Sequence, residues 1–538
     1  MPLSARVLLA ICLCLILQFA MSATATAAEE RDYVVTDPAL KIVPLDSSPN
    51  ESFLSMRADT RGRLFVGGRE ALFVYEPDDA GGYKPRRELY RFPPHSWVYD
   101  IEIRGADIYA LTLNALYIIP GGAVRYENLK AKRLIWGVPQ GHVHQCLHGL
   151  AWGPDGDLYI SMGDPLWYYG DFNRPDHWGH WTFFCQPAGT KVPYTGVGGV
   201  FRCRPDGSDF RVVARGLRNS CGLCFDRDWN LFTNDNDHEG LPRDYVPGRL
   251  NHVTPHSDFS WPRGWMLSKT PDRADMLSTM FDGMGRAVPV GQTYYDEDFF
   301  PAKYRNNLFV ARWGSRAVTR YPLEHNGATF STKEFTLLEG RDQARPVGVA
   351  VGRGGRLFVT IAYMPHNEGS PTYKSDLIMI TRADDPVTHP FEPYNLLTAT
   401  PNKLGDELSN GSWWRRQRAH VELLRRGGPA VIGNLTGPLA DEKDVRAESH
   451  MLWLAAAWHR GTSGETSRDV VAELTRLGRH ENAMIRLQAV RALGDGFANE
   501  PASRSLLMKA LQDKNAQVRH AAVVGLFHVA KPQEAFET

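Results

Sequence analysis

Between residues 50 and 382 apolar residues fall into short runs, each closed by a Gly or an Asp, and one phrase keeps returning. It reads as an apolar strand, a turn carrying Asp or Gly, then a second strand. Examples are Gly62-Arg-Leu-Phe-Val-Gly-Gly68, Ala106-Asp-Ile-Tyr-Ala-Leu111, Gly156-Asp-Leu-Tyr-Ile-Ser161, Trp229-Asn-Leu-Phe-Thr233, Asn307-Leu-Phe-Val310 and Gly355-Arg-Leu-Phe-Val-Thr360. Runs of this length with glycine-bearing turns predict antiparallel hairpins. Six such phrases at roughly 40–75 residue spacing, against about 40–50 for compact blade repeats, predict a six-bladed β-propeller with long loops. Long loops line the faces of such a scaffold and carry its sites.

The pattern changes after residue 382. Pro386, Pro390, Pro393 and Pro401 interrupt any periodicity, so residues 383–412 read as a linker. From Trp413 the spacing becomes helical. His420-Val-Glu-Leu-Leu-Arg-Arg426 stops at Gly427-Gly428-Pro429, and His450-Met-Leu-Trp-Leu-Ala-Ala-Ala-Trp458 forms a second helix. Ile485-Arg-Leu-Gln-Ala-Val-Arg-Ala-Leu493 then recurs 33 residues later as Val518-Arg-His-Ala-Ala-Val-Val-Gly-Leu526, each after an Asn-bearing turn. Residues 413–538 therefore read as a small α-helical domain of HEAT-like repeats. Its apolar face either packs back on the propeller or calls for a further capping repeat.

Composition adjusts this picture at three points. The formal net charge is zero, with 61 basic and 61 acidic residues, which argues against a general nucleic-acid binder. Arg6, the apolar run Val7 to Ala20 and the small-residue tract ending at Ala28 read as a signal peptide over residues 1–28. The chain is thus expected to be exported, periplasmic or extracellular, with the propeller over 29–382 and no membrane span after cleavage. Seven cysteines include Cys146, Cys185, Cys203, Cys221 and Cys224 beyond the signal. They are expected as buried strand thiols or one structural disulfide. Phe225 follows Cys221-Gly-Leu-Cys224, so haem-attachment spacing lacks its His, and no haem motif exists.

Two segments carry candidate chemistry. In His142-Val-His144-Gln-Cys-Leu-His148 three histidines precede a strand, where an imidazole can take up a proton near neutral pH. In Gly216-Leu-Arg218-Asn219-Ser-Cys-Gly222 an Arg-Asn pair precedes another, and Arg offers a rigid fork of donors for carboxylates. The following Asp235-Asn-Asp237-His-Glu-Gly240 is dense in hard oxygen ligands, so Asp235 and Asp237 are candidate Ca²⁺ ligands. A solvated acidic turn reads equally well there.

Together these segments resemble the soluble quinoprotein glucose and sorbosone dehydrogenases, which write a His, a Gly-Pro-Asp-Gly-x-Leu-Tyr phrase closed by Gly-Asp, and later Gly-x-Arg-Asn. Here Gly153-Pro-Asp-Gly156, Gly163-Asp164 and Arg218-Asn219 match. Asp235-Asn-Asp237, Phe259-Ser-Trp261-Pro-Arg263-Gly264 and Trp413-Trp414-Arg-Arg416 are similar to the large exported "membrane-bound dehydrogenase" propellers of planctomycete-type bacteria. The resemblance implies an exported oxidation of a sugar or other alcohol with pyrroloquinoline quinone, Ca²⁺ polarising the quinone, and an electron-acceptor protein as partner. It implies His148, or His144, as the catalytic base. Counted back from Gly153, the family's histidine falls on Gln145, one residue from His144. It implies Arg218, Asn219, Arg345 and, more weakly, Arg312 as cofactor-binding residues. Two other readings remain open. One is a non-catalytic propeller that binds a glycan or protein; the other is a Ca²⁺-dependent lactonase-type hydrolase using Asn219 and Asp235.

Overall fold

The structure, a computed structural model, describes residues 32–136, 146–163, 198–236, 247–259, 261, 279–364, 373–387, 394–427, 444–460 and 465–529, and the backbone of 180–185 and 191–195. Among these residues six antiparallel sheets of four or five strands form the blades of a propeller. The innermost strands are Ser55–Ala58, Val98–Arg104, Leu147–Trp152, Leu223–Phe225, Pro289–Tyr295 and Ala344–Val351. Each contacts the next, and the last contacts the first, so the ring is closed.

The first strands of the chain complete the last two blades. Tyr33–Val35 pairs with Phe335–Gly340 at the edge of blade 5, and Leu40–Ser48 pairs along Ser375–Arg382 in blade 6. Strands more than 300 residues apart in sequence thereby leave no open edge where the ring joins.

One turn is built alike in several blades. After the innermost strand, Asp59, Asp155 and Asp226 each fold a carboxylate oxygen back onto the backbone N–H two residues on, at 3.1, 3.1 and 2.9 Å. The aspartates of the repeated phrase are thus hairpin-forming Asx turns. Gly156 follows Asp155 with φ +80°, which a side chain would resist. In blade 4 the left-handed position is taken by Trp229, φ +57°, whose ring is pinned by the helical domain.

Seven helices follow among the described residues: α1 (Pro401–Glu407), α2 (Trp413–Arg426), α3 (Val445–His459), α4 (Glu465–Leu477), α5 (Ala483–Gly496), α6 (Pro501–Ala510) and α7 (Ala516–Val529). Helix α1 lies inside the stretch expected to be linker. Thr400 caps it by accepting the Lys403 N–H, and Pro401 at its first position suits a helix start. The 33-residue recurrence is the pair α5 and α7. Asn482 and Asn515 both precede them and accept the N–H two residues on, at 2.8 and 2.9 Å. Arg486 and Arg519 both reach back to carbonyls of the preceding turn. The two helices cross closely where a Cβ on Gly494 would stand 2.6 Å from the Gly525 Cα.

The helical face packs back on the propeller. Trp229 stacks edge-on against Trp413 at 4.9 Å between centroids, and against His450 at 5.4 Å. His420 bonds to the Pro154 carbonyl at 3.0 Å. Arg418 pairs with Glu102 at 2.9 Å and Arg202 with Asp155 at 2.7 Å; Arg202 also pairs with Asp495 of α5. A single apolar cluster runs from blades 3 to 5 into α3–α7. No described helix is long and apolar enough to cross a membrane.

Candidate active site at the propeller axis

All six innermost strands, or the residue just before them, contribute to one cavity of about 310 Å³ on the axis. One position per blade points into it: Leu54, Tyr99, His148, Cys221, Val290 and Val347. In blades 3 to 6 the next residue is glycine: Gly149, Gly222, Gly291 and Gly348. Space explains the glycines. A Cβ at Gly222 would lie 2.4 Å from the Asn234 Nδ2 and from the Gln292 Cβ, and one at Gly291 would lie 2.5 Å from the Val347 carbonyl oxygen. The x-Gly step therefore lets neighbouring blades close at the axis while its first residue faces the cavity. This recurrence was legible in the sequence as His148-Gly, Cys221-Gly, Val290-Gly and Val347-Gly.

Register aims those residues. The ladder slips between Leu147 and Gly149, between Val98 and Asp100, between Pro289 and Gln292, and between Pro346 and Gly348. The slips fall on His148, Tyr99, Val290-Gly291 and Val347, all of which line the cavity. A bulge turns a side chain out of the pleat, here toward the axis.

His148 is 4% exposed and its ring is held on three sides. Its Nε2 lies 3.3 Å from the Cys146 Sγ and its Nδ1 3.5 Å from the Cys221 Sγ. Tyr99 packs edge-on at 4.9 Å. Burial pushes both thiols well above their usual range, with the Arg218 charge opposing it at Cys221, so both flank the imidazole as neutral groups. His142 and His144 lie outside the described residues.

Beside His148 sits an ion cluster absent from the sequence expectations. Arg57 pairs with Asp100 and Glu102, both at 3.2 Å, and Asp100 also accepts the Leu150 N–H at 2.8 Å. Burial pushes the Asp100 carboxyl up to about 6 against the pull of Arg57. Most of the rest of the lining is apolar or aromatic, with Trp97, Trp313, Met56 and Met364 prominent and Ser55, Asn219 and Gln292 the polar exceptions.

The other expected site residues separate. Asn219 lines the cavity and its Nδ2 has no partner among the described residues. Arg218, next to it and 7% exposed, has Nε and Nη1 unpaired on the same terms. Arg345 does not line the cavity. Its Nε donates to the Met364 carbonyl at 3.0 Å and its Nη1 to the Trp313 carbonyl at 2.9 Å, with the guanidinium over the Trp313 ring. Arg312 pairs with Glu334 at 2.7 Å and donates to the Met284 carbonyl at 3.1 Å, and its Nε has no partner among the described residues. Arg345 therefore supports the cavity wall, and neither arginine lines the cavity.

Asp235 is likewise occupied. One oxygen accepts the Arg218 and Asn219 N–H groups at 3.1 and 2.8 Å, and the other pairs with Arg249 at 3.1 Å. It anchors the Arg-Asn loop instead of presenting oxygens to a cation, and Asn219 and Asp235 do not form the metal pair a lactonase needs. Asp237 lies outside the described residues. No group of three or more His, Cys, Asp or Glu able to hold a metal occurs among the described residues. No disulfide joins the described cysteines Cys146, Cys203, Cys221 and Cys224 to one another.

Comparison with known proteins matches this architecture in two parts. Residues 129–382 match the family model described as Domain of unknown function (DUF7133). Residues 448–527 match HEAT repeats. An uncharacterized protein of Borreliella burgdorferi is 28% identical over 114 residues, 19% of this chain and 30% of its own. The chain thus spans less than a third of that relative. Similar solved structures include a glucose dehydrogenase-type oxidoreductase of Thermus thermophilus, at 16% identity and TM-score 0.48 over 63% of this chain and 99% of its own. They also include the PQQ-bound aldose sugar dehydrogenase of Streptomyces coelicolor, at 17% identity and TM-score 0.44 over 64% and 99%. The PQQ domain of pyranose dehydrogenase from Coprinopsis cinerea follows at 16% identity and TM-score 0.46 over 65% and 97%.

Proposed function

We propose that the axial cavity is the active site of an exported dehydrogenase that oxidises a small hydroxylated substrate, a sugar or other alcohol, with pyrroloquinoline quinone. The observation that carries this reading is His148. It is the one histidine among the described residues that lines the axial cavity, and a bulge turns it there between two neutral thiols. A buried imidazole within reach of a substrate hydroxyl can take its proton as the C–H bond is oxidised.

The residues present offer a partial fit to the quinone. Its carboxylates need cationic donors, and Arg218 and Asn219 hold buried N–H groups without partners among the described residues. Leaving such donors unpaired costs free energy that an anionic or carbonyl ligand would return. When bound, the quinone supplies a hydride acceptor. Asn219, on the cavity wall, would hold it by a carboxylate or carbonyl oxygen, with the neighbouring Arg218, which does not itself line the cavity, adding positive charge, and the aromatic walls would exclude water. His148 would accept the hydroxyl proton, with Cys146 and Cys221 fixing the plane of its ring. Arg345 and Arg312 do not line the cavity and are left out of this reading. No group of three or more His, Cys, Asp or Glu among the described residues marks a Ca²⁺ site, and Ca²⁺ enters here as a component of the assay.

A second reading rests on those same spent arginines. With Arg57 neutralised by two carboxylates, the cavity wall is mostly neutral and would suit a binding propeller that takes an uncharged glycan without chemistry. One experiment separates the two. The purified full chain is mixed with pyrroloquinoline quinone and Ca²⁺ and offered aldoses and alcohols with a dye acceptor. Dye reduction is expected, with His148→Gln losing about 10²–10⁴ in kcat while retaining the quinone's absorbance. Failure of the wild-type chain to retain quinone or reduce dye with any substrate overturns the dehydrogenase. Glycan binding without dye reduction establishes the second reading.

A further inference from the structure

A second cavity, of about 110 Å³, lies in the seam between blades 3 and 4 and the helices α3, α5 and α7. Its walls are largely apolar, with Val213, Leu231 and Val524 among them. Its polar groups are unusual in what they lack. His252 lines it at 2% exposure, and neither ring nitrogen has a partner among the described residues. Trp229 also lines it, and its buried Nε1 is unpaired on the same terms.

Arg491 of α5 supplies the charge. Its guanidinium donates to the Asn230 Oδ1 at 2.7 Å and the Asp228 carbonyl at 3.2 Å, both neutral acceptors. Burial draws Arg491 down to about 10, and its charge helps hold His252 and His520 in the neutral form. The acids that line the same cavity already have cationic partners. Asp155 and Asp495 share Arg202 and Arg460 with Asp157, with Arg202–Asp155 at 2.7 Å, Arg460–Asp157 at 2.7 Å and Arg460–Asp495 at 3.3 Å. One guanidinium with no carboxylate in direct contact therefore stands beside unpaired nitrogen donors in a small apolar chamber.

We infer that this seam cavity binds a small organic monocarboxylate, its carboxylate held by Arg491 with His252 and Trp229 and its hydrocarbon part by the apolar wall. A single cation whose direct contacts are neutral acceptors matches a monoanion. A phosphate dianion would need more positive charge and fewer apolar neighbours. Since propeller and helices both line the cavity, an occupant bridges them and stabilises their docking by mass action. The inference does not depend on the chemistry assigned to the axial cavity.

The test uses the full chain. It is titrated with sodium acetate, sodium propionate and sodium phosphate, each against sodium chloride at matched ionic strength. The melting temperature and the line width of ¹³C-labelled acetate are followed. A saturable rise in melting temperature with acetate or propionate, and broadening of the labelled acetate, are expected. Arg491→Met is expected to raise the apparent Kd at least about tenfold. If that variant does not fold, His252→Phe, which keeps the ring and removes the nitrogens, is expected to weaken binding in the same assays. No saturable shift and no broadening in the wild-type chain overturns the site. A response to phosphate alone overturns the carboxylate assignment. Wild-type affinity in the folded variants overturns the roles of those residues.

Discussion

His420 is the sharpest place to test how the helical domain is held. It is fully buried in α2, and its Nε2–H donates to the Pro154 carbonyl at 3.0 Å. Burial lowers its pKa from 6.5 to about 4, with the Pro154 bond opposing. The folded state therefore keeps this imidazole neutral across a range in which the unfolded chain protonates it. The sign follows: His420 leaves stability untouched above about pH 6.5, and stability is lost as pH falls from there toward 4. Between pH 7 and 5 the unfolded state gains about 2 kcal/mol from this one group, at about 1.4 kcal/mol per pKa unit. Other buried groups blur the total. Glu297 and Asp226, each pushed up by burial to about 7, take up protons in the folded state and work in the opposite direction. A paired measurement removes them. His420→Gln keeps an N–H near the Pro154 carbonyl but cannot titrate. Urea unfolding of both proteins, followed by tryptophan fluorescence at pH 7 and pH 5, should show the variant gaining about 2 kcal/mol on the wild type as pH falls. A stability gap that does not move with pH would refute the argument that this imidazole is held neutral by burial.

Two further outcomes follow from the same geometry. Arg202→Met leaves Asp155 and Asp495 with Arg460 alone in a buried network, and should cost about 3 kcal/mol, read as calorimetric destabilisation and faster proteolysis of the helical domain. Gly222→Ala places a methyl 2.4 Å from Asn234 and Gln292, so it should destabilise blade 4 by about 1–3 kcal/mol and distort the axial cavity, measurable as a lowered melting temperature.

The scaffold was readable because its signal is local. Each repeated phrase holds a tight turn between short strands, an Asx turn in three of the blades, and a turn needs only neighbours in sequence. The α5 and α7 repeat was readable for the same reason, since its cap and its arginine both act within one turn. Closure of the ring was not. Leu40–Ser48 bears no mark of its partnership with Ser375–Arg382, because backbone pairing carries no residue code across 300 positions. Helix α1 was missed where several prolines suggested a linker, although one of them, Pro401, opens the helix.

The site divides along a similar line. Residue type told which groups can do chemistry, but not which of them have that capacity left over. Arg345 and Arg312 carry the same guanidinium as Arg218, yet Trp313, Met364 and Glu334 claim the first two while Arg218 keeps two buried nitrogens unmatched. Asp235 looked like a cation ligand because its neighbours are acidic, and it is instead the acceptor that shapes the Arg-Asn loop. The signal that would have corrected this was geometric and present all along. The glycine that follows His148, Cys221, Val290 and Val347 marks where each inner strand comes too close for a side chain, so the residue before it must face the axis. Read that way, His148 and Cys221 belong to the cavity on the same footing, each placed by the glycine that follows it.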